Sequence, residues 1–574
     1  MTRTPAVRRG DLLSLLPALT LTLFLAPVAA GLIGTWLPAF GYFPTLGGDR
    51  FTLAPWARLL EQPGLGESLR LTLVSGFLST LATFLLTVLL LAACHGGRLI
   101  LALRGLMAPL IAVPHAAVAL GLAFLIAPSG WLVRLVSPWA TGWQVPPDVA
   151  TVQDANALAL TLGLVVKELP FLLLMTLAAL EQVRADERLA VARSLGYGPV
   201  TAWLKAVLPA VYRQIRLPVY AVLAYALSVV DMALILAPLT PPPLAVQVLR
   251  WFNDPDLSLR FAAAAGACLQ LLVVAGGIGL WRLGELVAAR LGRAWIAGGR
   301  RGGDGRLTRA LTTGLVQILV ALAAAGLLSL ALWSVTRRWR YPDAWPSAFG
   351  LETWARQGPE VAAIGGTTLV AGLLAAGIAL LLVLGCLENE QRRGLSLTNR
   401  ALWLLYTPLL VPQVAFLFGT QVLAIQAGID ATWLALVWSH LLFVLPYVFL
   451  TLGDPFRALD TRYARTALCL GARPNRVFWQ VKLPMLMRPV LFALAVGFAV
   501  SVTQYLPTLF AGGGRFVTLT TEAVGLAAGG DRRVTGVYAF LQALLPLLAF
   551  AAALALPRVL LRARGRHRPL QAAA

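Results

Sequence analysis

The sequence is poor in charged residues. Asp, Glu, Lys and Arg make up 13% of its 574 residues, whereas a soluble globular domain has about 25%. A water-soluble chain of this length needs charge over its whole surface, so this scarcity excludes an ordinary soluble domain. Apolar runs of about 20 residues, each long enough to cross a hydrocarbon core about 30 Å thick, recur along the chain. The sequence therefore predicts a polytopic membrane protein.

Lysine is almost absent. The chain has three lysines, Lys167, Lys205 and Lys482, so its net charge of +22 rests on arginine. A nucleic-acid-binding protein gathers its basic residues on one domain with interleaved aromatic side chains. Here the arginines stand in short stretches between apolar segments instead. We therefore expect membrane lipid, and no nucleic acid, among the partners.

The arginine stretches predict the topology, because cytoplasmic loops of membrane proteins are enriched in basic residues. With Arg8 and Arg9 inside, both termini are predicted to be cytoplasmic. One stretch conflicts with this arrangement, since Arg337, Arg338 and Arg340 fall on the outer side. The first apolar run exceeds the 7–15 residues or so of a signal-peptide core, which favours a retained first helix.

Motifs for chemistry are also missing. The four cysteines and four histidines are dispersed, with no CxxC pair, so neither a disulfide framework nor a metal site is predicted. The GxxxxGK[ST] phosphate loop is absent, and the chain contains no Gly-Lys pair, which excludes ATP binding by a P-loop. HExxH and GxSxG are absent too. The chain is predicted to be no enzyme and to bind no cofactor itself.

Twelve apolar segments are predicted to form helices, six on each side of a Gly/Arg-rich stretch. Their predicted bounds are 12–37, 68–93, 99–126, 156–181, 217–238, 261–284, 309–336, 362–386, 401–427, 431–453, 489–511 and 535–561. The predicted fold class is therefore all-α, with about 12 transmembrane helices in two similar six-helix halves.

The two halves share landmarks in the same order, as a duplicated unit should. The matched pairs are Pro114 with Pro412, Gly121 with Gly419, Pro170 with Pro446, Ser228 with Ser501 and Gln270 with Gln542. The long loop at 127–155 accounts for the change of offset after the second pair. These landmarks predict a first half at 1–297, a flexible cytoplasmic linker at 298–308 and a second half at 309–574.

The connection between the fourth and fifth segments of each half, 182–216 and 454–488, is long and repeats one spacing. Gly196 stands thirteen residues before Pro209, and Gly471 stands thirteen residues before Pro484. Each connection predicts a short helix that ends at the glycine in a left-handed turn. A second short helix follows a proline and ends at Leu-Pro, with one aromatic side chain packed inside.

This pair of connections resembles the EAA loop of binding-protein-dependent ABC importer permeases, the MetI-like family. The family pattern is Glu-Ala-Ala, three residues, Gly, then an apolar position and Leu-Pro. The corresponding positions are Ala190, Ala192, Gly196, Tyr197, Pro199, Trp203, Leu208 and Pro209 in the first loop, and Arg465, Ala467, Gly471, Ala472, Pro474, Phe478, Leu483 and Pro484 in the second. The glutamate of the pattern is Ala190 in one loop and Arg465 in the other, so any ion pair made by the family glutamate is not carried over.

The resemblance implies a type I ABC importer permease in a bacterial inner membrane. In the family such a loop forms a coupling helix that fills a groove on the nucleotide-binding subunit. Two copies of an ATP-binding subunit, which carry the ATP, and a periplasmic solute-binding protein are the implied partners. Fused permeases of this size resemble the thiamine and iron(III) types and a thiamine-like group, which the external stretch Ala39–Gly48 also resembles. The implied cargo is thiamine, a related organic cation or iron(III).

Polar residues within the apolar segments are candidates for the translocation path, because burying them in a membrane is costly. They are Lys167, Glu168, Asp231 and its register counterpart Gln504. A structural pair of Lys167 with Asp231 is the open alternative. The two acids favour a cationic or polar cargo. His115 and His440 are expected to form interhelical hydrogen bonds rather than to bind metal.

A twelve-helix secondary transporter of the major-facilitator type is the alternative function. That class usually carries a Gly-x-x-x-Asp-Arg-x-Gly-Arg-type loop between its second and third helices. The corresponding connection here is 93–98, with the sequence ACHGGR, and it lacks the pattern. The long connections follow the fourth segment of each half instead, which favours the permease.

Overall fold

The computed structural model describes residues 12–395 and 399–566. Six helical segments precede residue 298, and six follow residue 305. Segments one to six are Leu16–Ala39, Leu65–Cys94, Arg98–Ala112 with His115–Ile126, Leu158–Gln182, Leu208–Ser228 with Asp231–Leu236, and Leu259–Ala297. Segments seven to twelve are Arg306–Ser334, Glu352–Arg393, Asn399–Leu410 with Leu417–Gln426, Trp433–Arg457, Met487–Val502 with Leu506–Gly512, and Arg532–Arg566.

Short elements connect these segments. The α-helical ones outside the two loops are Ala54–Leu60, Trp131–Val136, Leu244–Phe252 and Leu519–Leu526, and the 3₁₀ turns are Leu12–Ser14, Pro44–Leu46 and Gln413–Ala415. Strand Tyr42–Phe43 pairs antiparallel with Gly48–Asp49, and Thr336–Arg338 pairs with Ala348–Phe349. Within the described residues, nine helices are long and apolar enough to cross a membrane, and a tenth is added if one sharply bent pair counts as a single span.

Four segments that the sequence predicts as continuous helices are interrupted. Segments three and nine break at Pro114 and Pro412, where the chain turns extended (ψ 147° and 133°) before the helix resumes. Proline lacks an N–H group and disfavours the α conformation of the preceding residue, which explains both breaks. Segments five and eleven break just before Asp231 and Leu506. Pro507 stands in the first turn after the break of segment eleven, whereas no proline marks the break of segment five.

The first helix of each half packs against the other half. Segment one lies along Leu417–Gln426 of segment nine, and segment seven lies along His115–Ile126 of segment three. Both crossings depend on glycine. A Cβ atom at Gly419 would overlap the carbonyl oxygen of Gly31, and one at Gly121 would lie 2.7 Å from the Gly326 backbone. The two halves are therefore interlocked rather than merely adjacent.

Buried polar contacts recur in both halves. The Thr72 hydroxyl accepts the N–H of Leu244 at 2.9 Å, and the Thr368 hydroxyl accepts the N–H of Leu519 at the same distance. Each bond ties the second segment of a half to the start of its last short helix. Because the bonded threonines stand at matching places, the halves share a fold as well as a segment count.

The arginines that conflict with the charge rule belong to a hairpin between segments seven and eight. The guanidinium of Arg134, in the long loop of the first half, donates to the Arg340 carbonyl at 2.7 Å and lies 5.0 Å from the centre of the Trp339 ring. Arg337 forms an ion pair with Glu352 at 3.2 Å. The contacts of Arg134 therefore join the long loop of the first half to this hairpin, which gives the hairpin a structural use apart from topology.

Residues 298–305, between segments six and seven, have no regular secondary structure. Segment seven begins at Arg306, three residues before the predicted start of the second half, because Gly305 adopts a left-handed conformation (φ 72°) that starts the helix. We call residues 298–305 the linker. It crosses the first of the two long loops described below.

Replacing Gly419 by alanine should destabilise the interlock. The added methyl group cannot fit against the Gly31 carbonyl, and overpacking of this kind costs about 1–3 kcal/mol. The measurement is the thermal unfolding of the full chain in detergent. Gly279→Ala is the matched control, since no atom lies within 4 Å of the position of its Cβ. Equal unfolding temperatures for the two variants would contradict the interlock.

Candidate functional site

The first loop is a helix–turn–helix, as its spacing predicts. Helix Ala185–Ser194 ends at Gly196, which adopts φ 81° and donates its N–H to the Arg193 carbonyl at 2.9 Å. Helix Pro199–Ala202 follows, with proline in its first turn. A π-helical turn, Trp203–Val207, then continues directly into segment five.

The second loop repeats this geometry. Helix Thr461–Cys469 starts at Asp460, whose carboxylate accepts the N–H of Arg462 at 2.9 Å. Hydrogen bonds from the Arg462 side chain lower the pKa of Asp460 below its usual value. The helix ends at Gly471 with φ 84°, and helix Pro474–Val477 and the π-helical turn Phe478–Lys482 follow.

Leu-Pro does not end the second short helix, contrary to the sequence-based expectation. The Leu208 N–H bonds to the Trp203 carbonyl, and the Leu483 N–H bonds to the Phe478 carbonyl. Each of these hydrogen bonds joins residues five positions apart, which makes the turn π-helical. The proline that follows occupies the first turn of the next helix, where no N–H is needed. In the second loop the chain bends later, at Leu486, by 78°.

Each loop has a buried aromatic anchor and an exposed apolar surface. Trp203 is fully buried and Phe478 nearly so, which agrees with their predicted place inside the helix–turn–helix. Leu195 is 59% exposed and Leu470 is 82% exposed, and both stand immediately before the turning glycine. An exposed leucine at the same place in both loops suits a surface that another protein covers.

Different contacts hold the two loops to the second segment of their half. In the second half, Lys482 donates to Glu388 at 2.7 Å and to Gln391 at 2.6 Å, and Arg392 binds the same carboxylate at 2.7 Å. In the first half, His95 Nε2 lies 2.9 Å from Asp186 Oδ1. The sequence analysis missed Glu388, although an acid at the end of a long apolar run is itself a signal for a buried partner.

Among the candidates for the path, Lys167 is held by backbone. Its ammonium donates to the carbonyls of Leu110, Ile111 and Val113, which end the first part of segment three. In a membrane such carbonyls have no water to bind, so the lysine satisfies the broken helix. Asp231 finds its hydrogen-bond partner elsewhere: the Tyr225 hydroxyl donates to it at 3.4 Å.

Glu168 and Asp231 lie in one polar cluster with two residues that the sequence analysis did not select for the path. The Glu168 carboxylate is 3.4 Å from His115 Nε2, and the ring centres of His115 and Tyr225 are 4.6 Å apart. The second part of segment five, which begins at Asp231, also contacts the short helix Leu519–Leu526 of the second half. The cluster therefore lies where the two halves face each other.

Gln504 and His440 form the corresponding region of the second half. Gln504 stands at the break of segment eleven, as Asp231 does in segment five. Its amide donates to the Val500 carbonyl at 3.0 Å, and within the described residues its oxygen has no partner. His440 bridges segments ten and eleven through Ser501 and Thr508, at 2.6 and 2.9 Å. Groups of three or more potential metal ligands are not found in the described part of the chain.

Comparison with known proteins gives consistent matches. Residues 377–563 match the family model described as binding-protein-dependent transport system inner membrane component. Over 508 residues the chain is 34% identical to the inner membrane ABC transporter permease protein YnjC of Escherichia coli (strain K12), covering 88% of this chain and 91% of that protein. It is 24% identical over 482 residues to the thiamine transport system permease protein ThiP of the same strain, covering 81% and 84%. A molybdenum transport system permease protein, ModB of Mycobacterium tuberculosis (strain ATCC 25618 / H37Rv), is 28% identical over 211 residues, or 35% of this chain and 78% of that protein.

Lys482→Met should loosen the second loop, because it leaves Glu388 buried with one cation fewer. Breaking a buried ion pair costs about 3 kcal/mol or more. The readout is hydrogen exchange of residues 474–482 together with thermal unfolding. Lys205→Met is the matched control, since Lys205 donates to a backbone carbonyl and not to a carboxylate. If both variants exchange at the same rate, the ion pair does not hold the loop.

Proposed function

The chain belongs to the family of binding-protein-dependent inner membrane ABC transporter permeases, and from this premise we propose that its two loops dock on two separate ATPase subunits. Family membership makes the chain the multi-pass permease subunit of an ABC importer, a transport subunit rather than an enzyme. It replaces the alternative of a major-facilitator-type secondary transporter. In the proposal, both termini, the linker and the two loops face the cytoplasm, and each ATPase subunit holds its own ATP.

The exposed leucine at the same position of both loops carries this proposal. Leu195 and Leu470 are exposed at the end of a short helix, and each loop also has a buried aromatic anchor, Trp203 or Phe478. Short amphipathic helices seated in a groove are a recurrent recognition mode, in which a few apolar side chains supply most of the affinity. The chain carries no phosphate loop, so the hydrolysis that drives import requires a second protein.

For the cargo we propose a cationic solute, thiamine or a related organic cation, with iron(III) as the inorganic alternative. The Lys167 ammonium donates its hydrogen bonds to backbone carbonyls. Glu168 and Asp231 therefore remain as the acids of the polar cluster. One relative is named as a thiamine transport permease and covers most of the chain. The molybdenum transport relative matches only about a third of it, so its cargo carries less weight. A periplasmic solute-binding protein would deliver the solute.

Leu195→Asp combined with Leu470→Asp should abolish capture of the ATPase. Loss of a central apolar anchor costs more than 1 kcal/mol per site, or about tenfold in affinity for each loop. The measurement is co-purification of the ATPase subunit with the full permease from membranes, with ATP-dependent uptake as a second readout. Leu53→Asp, equally exposed but distant from both loops, is the control. Uptake that persists without ATP, or capture that survives the double change, would contradict docking by these loops.

Asp231→Asn and Glu168→Gln should each lower the uptake of a cationic cargo by about tenfold or more, as expected when a buried charge contact is lost. Membranes holding the complete transporter would be tested with labelled thiamine, putrescine, iron(III) and molybdate. Glu67→Gln serves as the control, since Glu67 pairs with Arg70 at an exposed helix end. Faster uptake of molybdate than of every cation in the wild type would exclude the cationic cargo.

A further inference from the structure

The linker between the halves lies directly on the first loop. The Gly198 N–H donates to the Arg301 carbonyl at 2.9 Å, and the Lys205 ammonium donates to the Arg300 carbonyl at 2.9 Å. The ammonium also lies 5.0 Å from the centre of the Tyr197 ring. These contacts fix the linker across the short helix that follows the turning glycine. It is thus part of the surface that the first loop presents.

The second loop has no such cover within the described residues. Its positions 473–476 are all exposed, whereas the matching positions 198–201 of the first loop are all half-buried. No described atom lies within 4 Å of the position of a Cβ at Gly471, while the Arg301 guanidinium lies 3.4 Å from that of Gly196. The linker accounts for this difference in exposure.

The covered positions are the ones at which the two loops differ in charge. Counting from the turning glycine, Gly198 matches Arg473 and Thr201 matches Arg476. The second loop therefore carries two arginines on this surface, and the first loop carries none of its own. Lys205 does not replace them, because its ammonium is engaged by the linker carbonyl and the Tyr197 ring.

The linker brings two arginines of its own to the covered surface of the first loop. Arg300 and Arg301 are both exposed, and within the described residues no carboxylate is ion-paired with them, nor with Arg473 or Arg476. A side chain at Gly198 would collide with the Gly303 carbonyl, so an arginine there would exclude the linker. The first loop can accept the linker because it lacks the arginine that the second loop has.

The preceding short helices carry the same net charge of +1: residues 184–194 have Arg184, Arg188 and Arg193 against Asp186 and Glu187, and residues 460–469 have Arg462 and Arg465 against Asp460. Arg462 forms an ion pair with Asp460 at 2.6 Å, and Glu187 lies 3.8 Å from Arg184. Asp186 is held by His95. These helices therefore do not distinguish the two loops, and the difference in charge is the pair of arginines that comes from the loop in the second half and from the linker in the first.

We propose that Arg300 and Arg301 of the linker form part of the first docking surface, where they take the place of Arg473 and Arg476, and that the partner is an ATPase subunit whose docking groove carries carboxylates. This rests on the proposed function, since it assumes that both loops dock. Two copies of one ATPase present the same groove to both loops, so the charges that it meets should match. Complementary charge of this kind sets specificity and the rate of association.

The experiment measures binding of the ATPase subunit that purifies with the wild-type permease, at several salt concentrations, to full-length permease in nanodiscs. Arg300→Glu with Arg301→Glu is compared with Arg473→Glu with Arg476→Glu. Each pair should weaken one of the two binding sites by about tenfold or more and reduce its dependence on salt. The same change in charge at Arg290 and Arg293, exposed at the end of segment six, is the control and should change the affinity less than about twofold.

A pair of neutral substitutions in the linker tests whether a loss of affinity comes from the change in charge or from a change in folding. Arg300→Gln with Arg301→Gln should give a smaller loss, and adding Gly198→Arg and Thr201→Arg should restore the affinity by recreating the pattern of the second loop. If the linker variants bind like the control while the Arg473 and Arg476 variant binds weakly, the linker has no part in docking. If all charge variants bind normally while Leu195→Asp with Leu470→Asp fails, the charge proposal is wrong and docking stands. A wild-type permease that binds no ATPase would instead overturn the proposed function.

Discussion

The structure depends on one constraint of the hydrocarbon core: every backbone polar group there needs a partner inside the protein. Four of the twelve segments are broken, and each break frees carbonyl and N–H groups at membrane depth. Lys167 satisfies the carbonyls before Pro114, and the Gln270 amide donates to the Leu227 carbonyl at 2.9 Å near the break of segment five. Lys167 and Gln270 are therefore placed where the interrupted helices need a partner.

The break of segment five also determines where Asp231 lies. Asp231 begins the second part of segment five and is buried there, where an acid in a membrane-spanning segment is costly. Gln504 holds the corresponding place in segment eleven, so the duplicated backbone presents an acid in one half and an amide in the other. Both halves lie in one chain with different sequences, so the same place in the fold can carry a different side chain in each half.

Much of the architecture could be predicted from the sequence. Apolar runs indicate the segments, and the paired Gly-to-Leu-Pro spacing indicates both helix–turn–helix loops with their anchors Trp203 and Phe478. The break of segment five was not predictable, since no proline marks it, whereas Pro507 in the first turn after the break of segment eleven was a signal that the apolar pattern alone did not use. The contact of Lys167 with backbone carbonyls was not predictable either, because an apolar pattern carries no information about which helix end a distant side chain will reach. Long-range contacts such as Lys482 with Glu388 share this difficulty.

Segment five joins the first loop to the polar cluster. It starts at the π-helical turn of the first loop, with Leu208, and reaches the polar cluster at Tyr225 and Asp231. Tyr212 and Tyr220 on the same helix donate to Glu285 of segment six, at 2.6 and 2.9 Å, so its first part is fixed to a neighbour. A displacement of the loop must then move segments five and six together or bend segment five at its break. The break just before Asp231 is the point at which such a movement would reach that acid.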